Sequence, residues 1–303
     1  MGTPVIRCDG VTKRFGATEA LRGVDLVVDE GEVFGYLGPN GAGKTTTLRI
    51  IMGLTRAGDG RAELFGLDAW AHRDELHRRV GYVSGDVALY PRLSGRDHID
   101  YVGHLHGVGR PPEAAALAER LDLDLDKQAR QLSRGNRQKL ALLLALMTRP
   151  ELLVLDEPSS GLDPLVQREF HVLLAEHVTR GGTVLLSSHV LSEVQRVATR
   201  IGVLSAGRVV AVEQLDALRA KSLHHVEAQF DGAVQAAPFA SVPGVRDVRM
   251  EDGVLRCDAP QTSLDPLLKL IARHPVVDLN CTEAELEETF LAYYSTPGGP
   301  GAA

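Results

Sequence analysis

The chain has 303 residues, 44% of them hydrophobic and 24% charged, a composition typical of a soluble globular protein of about two domains. Its 33 basic and 40 acidic residues give a formal net charge of −7, which excludes a nucleic-acid binder that works through an overall basic surface. The three cysteines are scattered, which excludes a zinc ribbon or a disulfide scaffold and fits a reducing compartment.

Short runs rich in Val and Leu alternate with longer amphipathic stretches over residues 1–220. This alternation predicts an α/β domain, in which a mostly parallel sheet carries helices on both faces. The predicted strands are Val5–Cys8, Val24–Val28, Val33–Leu37, Gly81–Val83, Leu152–Leu155, Thr183–Ser187 and Ile201–Ser205. Between residues 86 and 150 helical patterns replace the strands, which predicts a helical subdomain. Its predicted helices are His98–His106, Glu113–Leu121 and Arg137–Met147.

The sequence pattern changes after about residue 220, and residues 221–296 are predicted to form a small α+β domain. Alternating stretches predict the strands Val226–Phe230, Val245–Met250, Gly253–Cys257 and Pro275–Cys281, with a helix at Leu264–Arg273. Thr282 begins a capping-box pattern that predicts a last helix, in which Leu286 and Phe290 share one face. Residues 297–303, PGGPGAA, are expected to form a disordered tail.

The strongest motif is a glycine-rich loop between the strand Val33–Leu37 and a predicted helix from Thr45 to Met52. Its residues are Gly38, Pro39, Asn40, Gly41, Ala42, Gly43, Lys44, Thr45 and Thr46. They match G-x-x-x-x-G-K-[ST], a pattern whose backbone N–H groups surround phosphates while the lysine adds a full positive charge. The loop predicts nucleotide binding, with the hydroxyl of Thr45 as a ligand of Mg²⁺.

Two acidic residues follow the apolar strand Leu152–Leu155, at the strand end where parallel α/β sheets bind ligands. Asp156 is placed to hold Mg²⁺, and Glu157 is placed to accept a proton from an attacking water. His189 follows another predicted strand and is ambiguous by itself, since an isolated histidine there is more often a core or capping residue. Ser133 and Gly135 open a helix, which by itself is an ordinary helix start.

The order of these motifs resembles that of the ATP-binding-cassette (ABC) ATPases over about residues 5–212. The motifs are the phosphate loop, the segment Leu132-Ser133-Arg134-Gly135-Asn136, the pair Asp156-Glu157, the segment Ser160-Gly161-Leu162-Asp163 and a strand that ends in His189. The resemblance implies ATP hydrolysis with Mg²⁺ and a catalytic set of Glu157, His189 and Lys44. It also implies that Phe15 stacks on the adenine ring.

The resemblance further implies a homodimer in which two cassettes pair head to tail. Ser133 and Gly135 of one subunit would then cap the γ-phosphate held by Lys44 of the other, with Asp163 at the same interface. One departure from the family pattern lies after the Gly81-Tyr82 strand, where a glutamine is usual and this chain has Gly85 and then Asp86. Either Asp86 supplies the side-chain oxygen near Mg²⁺ that the usual glutamine would provide, or that contact is absent. We expect the first.

The single cassette and the ending EAELEETFLAYY resemble those of the ATPase subunits of drug-resistance-type exporters. The longest apolar run covers only residues 140–147, whereas a spanning helix needs about 20 residues. We therefore expect a bacterial, peripheral protein on the cytoplasmic face of the cell membrane. It would power export of a drug or lipophilic compound through a separate integral-membrane permease that docks near residues 86–96, and no nucleic-acid partner is expected.

The main alternative is a soluble ABC ATPase that acts on ribosomes or DNA. Such relatives typically carry two cassettes, zinc-binding cysteines or long coiled-coil insertions, and this sequence has none of these. A P-loop GTPase is disfavoured because no N-K-x-D motif occurs. The role of the predicted C-terminal domain stays open between a passive dimer-stabilising module and a regulatory ligand site.

Overall fold

The computed structural model describes residues 3–217 and 223–283. Two compact units divide the chain, and the division falls between Glu213 and Gln214. In chain order the strands up to this division are β1 Pro4–Phe15, β2 Thr18–Asp29, β3 Val33–Leu37, β4 Arg61–Leu64, β5 Leu67–Asp68, β6 Val80–Val83, β7 Leu152–Asp156, β8 Thr183–Ser188, β9 Arg200–Ser205 and β10 Arg208–Gln214.

A six-stranded sheet forms the centre of the first unit, with the strand order β10-β9-β3-β8-β7-β6. From β9 to β6 the neighbouring strands run parallel. Every residue of β3, β7 and β8 is buried, as expected for apolar strands covered on both faces. Since β3, β8 and β7 are neighbours, the loops that follow them meet at one edge of the sheet.

The first two strands depart from the predicted parallel sheet. They pair antiparallel with each other and belong to a separate four-stranded sheet, in the order β2-β1-β4-β5. The turn at residues 16–17 explains the difference, because so short a connection can join only antiparallel strands. The short strands β4 and β5 and the edge strand β10 were not predicted.

The helices of the first unit are α1 Lys44–Ile51, α2 Arg73–Leu76, α3 Gly95–Leu105, α4 Glu113–Arg120, α5 Arg134–Leu146, α6 Pro164–Thr179 and α7 Leu191–Val194. Four of them, α1, α3, α4 and α5, correspond to predicted helices, although α3 and α5 begin three residues earlier than predicted, and α2, α6 and α7 were not predicted. Three of these helices, α3 to α5, lie in the sequence between β6 and β7. Buried side chains of both sheets and of α1 share one core, for example Ile6, Leu26, Phe34, Ile51 and Val154.

The second unit, described over residues 214–217 and 223–283, contains a four-stranded antiparallel sheet in the order β12-β13-β11-β14. Its elements are β11 Leu223–Phe230, α8 Ala237–Ala240, β12 Arg246–Glu251, β13 Val254–Pro260, α9 Gln261–Ile271 and β14 Val276–Glu283. Side chains such as Val226, Phe239, Leu255 and Leu267 form its core.

The predicted start of the last helix is wrong at Thr282 and Glu283, since both residues continue β14 by pairing with β11. The rest of that predicted helix and the predicted tail lie outside the described residues. Across residues 3–217 and 223–283, no helix combines the length and the apolar content that crossing a bilayer requires.

Candidate functional site

The phosphate loop, residues 38–46, connects β3 to α1 and has a backbone that only glycine tolerates at one key position. Gly43 precedes α1 with φ +112°, and a Cβ there would lie 2.8 Å from the carbonyl oxygen of Ala20 and 2.6 Å from a methyl of Leu21. Both steric limits favour glycine. The loop therefore brings the N-terminus of α1 to the edge of the sheet, where its free N–H groups favour anions.

Lys44 is buried and lies among oxygen atoms. Its Nζ donates to the carbonyl oxygen of Gly38 at 2.6 Å and to that of Pro39 at 3.3 Å, and it lies 3.2 Å from Oε1 of Glu157. Only 6% of its side chain is exposed. A buried ammonium group needs such partners, and a phosphate oxygen is a suitable replacement for the carboxylate.

Thr45 and Asp156 bring oxygen ligands together at the start of α1 and the end of β7. The hydroxyl of Thr45 donates to Oδ2 of Asp156 at 2.7 Å. Hydroxyl and carboxylate oxygens fit Mg²⁺, which usually takes few protein ligands and completes its shell with water and substrate phosphates. Across residues 3–217 and 223–283, no three or more His, Cys, Asp and Glu side chains form a cluster suited to a metal ion.

Glu157 follows Asp156 in a left-handed backbone conformation, with φ +49°. Its Oε2 lies 2.7 Å from Nδ1 of His189, and its Oε1 contacts Lys44. The histidine side chain is half exposed. The carboxylate of Glu157, directly after β7, thus contacts both His189, directly after β8, and Lys44 of the phosphate loop. The strand order brings these three residues to the same edge of the sheet.

Ser187, near the end of β8, also belongs to this site and was not predicted from the sequence, and neither were the contacts of its neighbour Ser188. The hydroxyl of Ser187 contacts Asp156 and the backbone N–H of Glu157. The hydroxyl of Ser188 donates to Glu193, which also accepts from Ser159 at 2.7 Å. The available signal was a polar pair ending an otherwise apolar strand directly before His189.

The segment at residues 132–136, here called the signature segment, opens α5. Ser133 caps the helix, and its hydroxyl accepts from the N–H of Asn136 at 3.2 Å. A Cβ at Gly135 would lie 2.7 Å from the carbonyl oxygen of Gly161, so a glycine allows the close approach of these two segments. Arg134 adds a hydrogen bond to the hydroxyl of Ser160 at 2.9 Å.

Asp163 caps α6 rather than reaching the phosphate loop of its own chain. Its Oδ1 accepts from the N–H groups of Leu165 and Val166, both at 3.1 Å. The hydrogen bond from Val166 is the main cause that lowers the pKa of this carboxyl below its usual range. Among the described residues, no hydrogen bond or ion pair joins Ser133, Gly135 or Asp163 to the phosphate loop.

Phe15 ends β1 and exposes 53% of its surface, with the ammonium of Lys13 5.2 Å from the ring centroid. The neighbouring strand β2 contacts the phosphate loop through Ala20 and Leu21 beside Gly43. An exposed ring on this hairpin is available for stacking.

Gly85 rather than Asp86 lies beside the carboxylate of Asp156. A Cβ at Gly85 would lie 3.4 Å from Oδ2 of Asp156, an ordinary contact distance. Asp86 is exposed, and its carbonyl oxygen accepts from the hydroxyl of Ser84 at 2.7 Å. No described hydrogen bond or ion pair joins its carboxylate to Thr45 or Asp156.

A family model described as ABC transporter matches residues 21–160, which include the phosphate loop, the signature segment and the pair Asp156-Glu157. The daunorubicin resistance ATP-binding protein DrrA3 of Streptomyces coeruleorubidus is 42% identical over 227 residues, which cover 73% of this chain and 72% of that protein. The chain belongs to the ABC transporter family. It is the ATP-binding subunit of an ABC transporter, and its enzymatic activity is ATP hydrolysis.

A second relative extends the similarity to the C-terminal unit of this ABC ATPase. The bacitracin transport ATP-binding protein BcrA of Enterococcus faecalis is 31% identical over 295 residues, covering 94% of this chain and 95% of that protein. A solved dimeric structure of the ATP-binding cassette MJ0796, in a post-hydrolysis state bound to ADP and Pi, covers 69% of this chain and 98% of its own, with 26% identity and a TM-score of 0.63. These similarities confirm the predicted family and fold class.

A groove of about 400 Å³ lies beside the helical segment of this ABC ATPase. Residues of β6, the following loop, α3 and α5 line it, among them Tyr82, Val87, Leu89, Val102 and Leu144. Large apolar side chains are exposed in these segments and next to them, namely Leu54, Tyr90, Tyr101 and Leu105. Such an apolar surface is typical of a protein–protein contact site.

Proposed function

We propose that two copies of this subunit bind ATP between them, hydrolyse it with Mg²⁺, and power a separate membrane permease that exports a drug or other lipophilic compound. The observation that carries the proposal is the position of Glu157, whose two carboxylate oxygens contact Lys44 and His189 beside the phosphate loop. A base, a cation and a second polar group at a phosphate-binding loop are the parts that phosphoryl transfer to water requires.

Binding begins at the phosphate loop, where the triphosphate would accept from the backbone N–H groups of residues 38–46. The ammonium of Lys44 would exchange Glu157 for β- and γ-phosphate oxygens. Thr45 and Asp156 would hold Mg²⁺, which when bound supplies positive charge at the phosphates. Phe15 would stack on the adenine, and its exposed ring supports that role.

Hydrolysis then needs one proton acceptor and one stabilised leaving group. Once Lys44 contacts the phosphates, Glu157 can accept a proton from the attacking water. The oxygen of that water forms a bond to the γ-phosphorus at the same time. The bond from that phosphorus to the bridging oxygen of ADP breaks, which yields ADP and phosphate. His189 would donate to the γ-phosphate, and the 2.7 Å contact to Glu157 supports its closeness to the reacting atoms.

The second copy would supply Ser133, Gly135 and Asp163. Support comes from the exposed N-terminus of α5, which carries helix N–H groups suited to the γ-phosphate of another subunit. The same segment contacts Gly161 and Ser160, so the signature segment and Asp163 would reach the dimer interface together. The solved cassette MJ0796 is described as dimeric with ADP and Pi, which agrees with this arrangement.

The permease would dock at the groove beside α3, with the loop at residues 86–96 in contact. The exposed apolar side chains of this surface support a protein partner of similar character. The names of the relatives, which refer to daunorubicin resistance and bacitracin transport, support export of a drug-like compound. The subunit would then be peripheral, on the cytoplasmic face of the cell membrane.

Affinity purification from detergent-solubilised membranes of the native source tests this proposal. We expect a protein with several membrane spans to co-purify with the tagged subunit. This co-purification should be lost when Leu54 is replaced by Glu. Enrichment of ribosomes or DNA in place of a membrane protein would contradict the proposal and favour the soluble alternative.

A further inference from the structure

Ser187 lies at the centre of the edge where the catalytic loops meet. It is the penultimate residue of β8, the strand between β3 and β7, and its backbone is in register with Tyr36 on one side and Asp156 on the other. Its side chain is fully buried. The apolar core does not need a hydroxyl at this position, so the partners of that hydroxyl indicate what it does.

The hydroxyl of Ser187 makes two hydrogen bonds of opposite direction. It donates to Oδ1 of Asp156 at 2.6 Å and accepts from the backbone N–H of Glu157 at 3.1 Å. Because the N–H of Glu157 is a donor, the single hydrogen of the hydroxyl is directed to Asp156. That donation fixes Oδ1 and leaves Oδ2 for Thr45 and a metal ion.

Glu157 needs this anchor because its backbone is in the left-handed region, with φ +49°. A non-glycine residue is held there only when its surroundings support it. Its N–H donates to the carbonyl oxygen of Ser187 at 3.2 Å as well as to the hydroxyl. Ser187 therefore contacts both the carboxylate of Asp156, which would face Mg²⁺, and the backbone of Glu157, the proposed base.

We propose that Ser187 is a positioning residue for ATP hydrolysis, which aims Asp156 at Mg²⁺ and fixes the backbone of Glu157. The inference rests on the proposed function, because it assigns Ser187 a role through the two acidic residues named there. Asp156 is 1% exposed, so water has little access to replace a lost hydroxyl. Removal of the hydroxyl leaves a buried carboxylate oxygen without its donor.

The test compares Ser187→Ala with the wild type in metal binding without turnover. Free Mn²⁺ is measured by electron paramagnetic resonance in the presence of a non-hydrolysable ATP analogue. We expect the apparent Mn²⁺ affinity of Ser187→Ala to fall by roughly ten- to a hundredfold, the usual effect of losing a partner of a metal ligand. The affinity for the analogue in EDTA should stay within about twofold, since the phosphate loop is unchanged.

Two further variants separate positioning from packing. Thr183→Val removes another buried hydroxyl, at the far end of β8, where it accepts from the N–H of Gly31 at 3.0 Å. This control should bind Mn²⁺ as the wild type does. Ser187→Cys keeps a weak donor of similar shape, so its Mn²⁺ affinity should lie between those of the wild type and Ser187→Ala.

Unchanged Mn²⁺ affinity in Ser187→Ala would overturn the inference and leave the proposed function intact. An equal loss in Thr183→Val, or a larger loss in Ser187→Cys than in Ser187→Ala, would also overturn it, because packing would then explain the effect. A wild type that binds neither the analogue nor Mn²⁺ with it would instead remove the proposed function and this inference together.

Discussion

Glu157 is the residue on which the proposed chemistry depends, because its carboxylate contacts both Lys44 and His189. The contact with Lys44 balances the charge of that buried ammonium group. In the proposed mechanism the phosphate oxygens of ATP would take over this charge, so ATP binding would also free Glu157 to act as the base.

Glu157→Gln tests this role directly. The amide keeps the shape of the side chain but does not accept a proton, so we expect ATP to bind and phosphate release to fall by about 10²- to 10⁴-fold. Glu151→Gln is a matched control, because Glu151 directly precedes β7 and pairs with Arg79 on the surface. Phosphate release is the measurement, and unchanged turnover in Glu157→Gln would refute Glu157 as the base.

Asp86→Ala tests whether this residue replaces the glutamine that the family pattern usually has. If Asp86 supplies an oxygen near Mg²⁺, we expect ATP turnover to fall, by up to about tenfold. Asp74→Ala is the control, since 94% of the Asp74 side chain is exposed. Wild-type turnover in Asp86→Ala would rule the role out, and Gly85 would then leave the position beside Asp156 without a side-chain ligand.

At the scale of secondary structure, the sequence predicts the elements whose burial is uniform. The strand β3 and residues 152–155 of β7 carry no charged side chain and are fully buried, and the prediction matches both strands to within one residue. The strands β4 and β5 were missed because they have four and two residues and contain polar side chains. The separate sheet was not predicted either, because besides the local pairing of β1 with β2 it needs the pairing of β1 with β4, which is distant in the sequence.

The functional site likewise contains residues that a local sequence pattern predicts and residues that only the tertiary structure identifies. The phosphate loop is predictable because its residues are contiguous and match a motif whose chemistry is local. Ser187 is not, because a serine in a buried strand has no local pattern that reveals its neighbours. Its role follows only from the strand order, which places β8 between β3 and β7.

The groove beside α3 is the surface at which we expect the permease to dock. Leu54 lines the groove and is 50% exposed, so Leu54→Glu should remove co-purification with the permease and leave ATP hydrolysis of the isolated subunit unchanged. Val277→Glu is the control, because Val277 is 62% exposed and lies in the other unit. Retained co-purification in Leu54→Glu would place the permease elsewhere.

At the scale of the whole molecule, two units with separate cores share one chain. The similarity to the bacitracin transport relative covers 94% of this chain, so both units belong to the matched length. Each core contains one buried cysteine, Cys8 in the first unit and Cys257 in the second, whereas Cys281 is exposed. The cysteines therefore report on the integrity of each unit.

Alkylation by iodoacetamide at pH 8 uses this difference. Burial raises the pKa of Cys8 to about 12 and that of Cys257 to about 11, so both thiols stay protonated and unreactive at this pH. We expect peptide mapping by mass spectrometry to find Cys281 modified in the folded protein and all three cysteines modified in guanidinium chloride. Rapid modification of Cys257 in the folded protein would contradict the core of the second unit.

If ATP joins two copies of the chain, the molar mass of Glu157→Gln measured by light scattering should double when Mg²⁺ and ATP are added. We predict 32.7 kDa without nucleotide and about twice that mass with Mg²⁺ and ATP, with two ATP molecules per dimer. Adding Lys44→Ala to this variant should abolish the dimer. A mass of 32.7 kDa at saturating ATP, with one ATP bound to each single chain, would show that ATP does not join two copies.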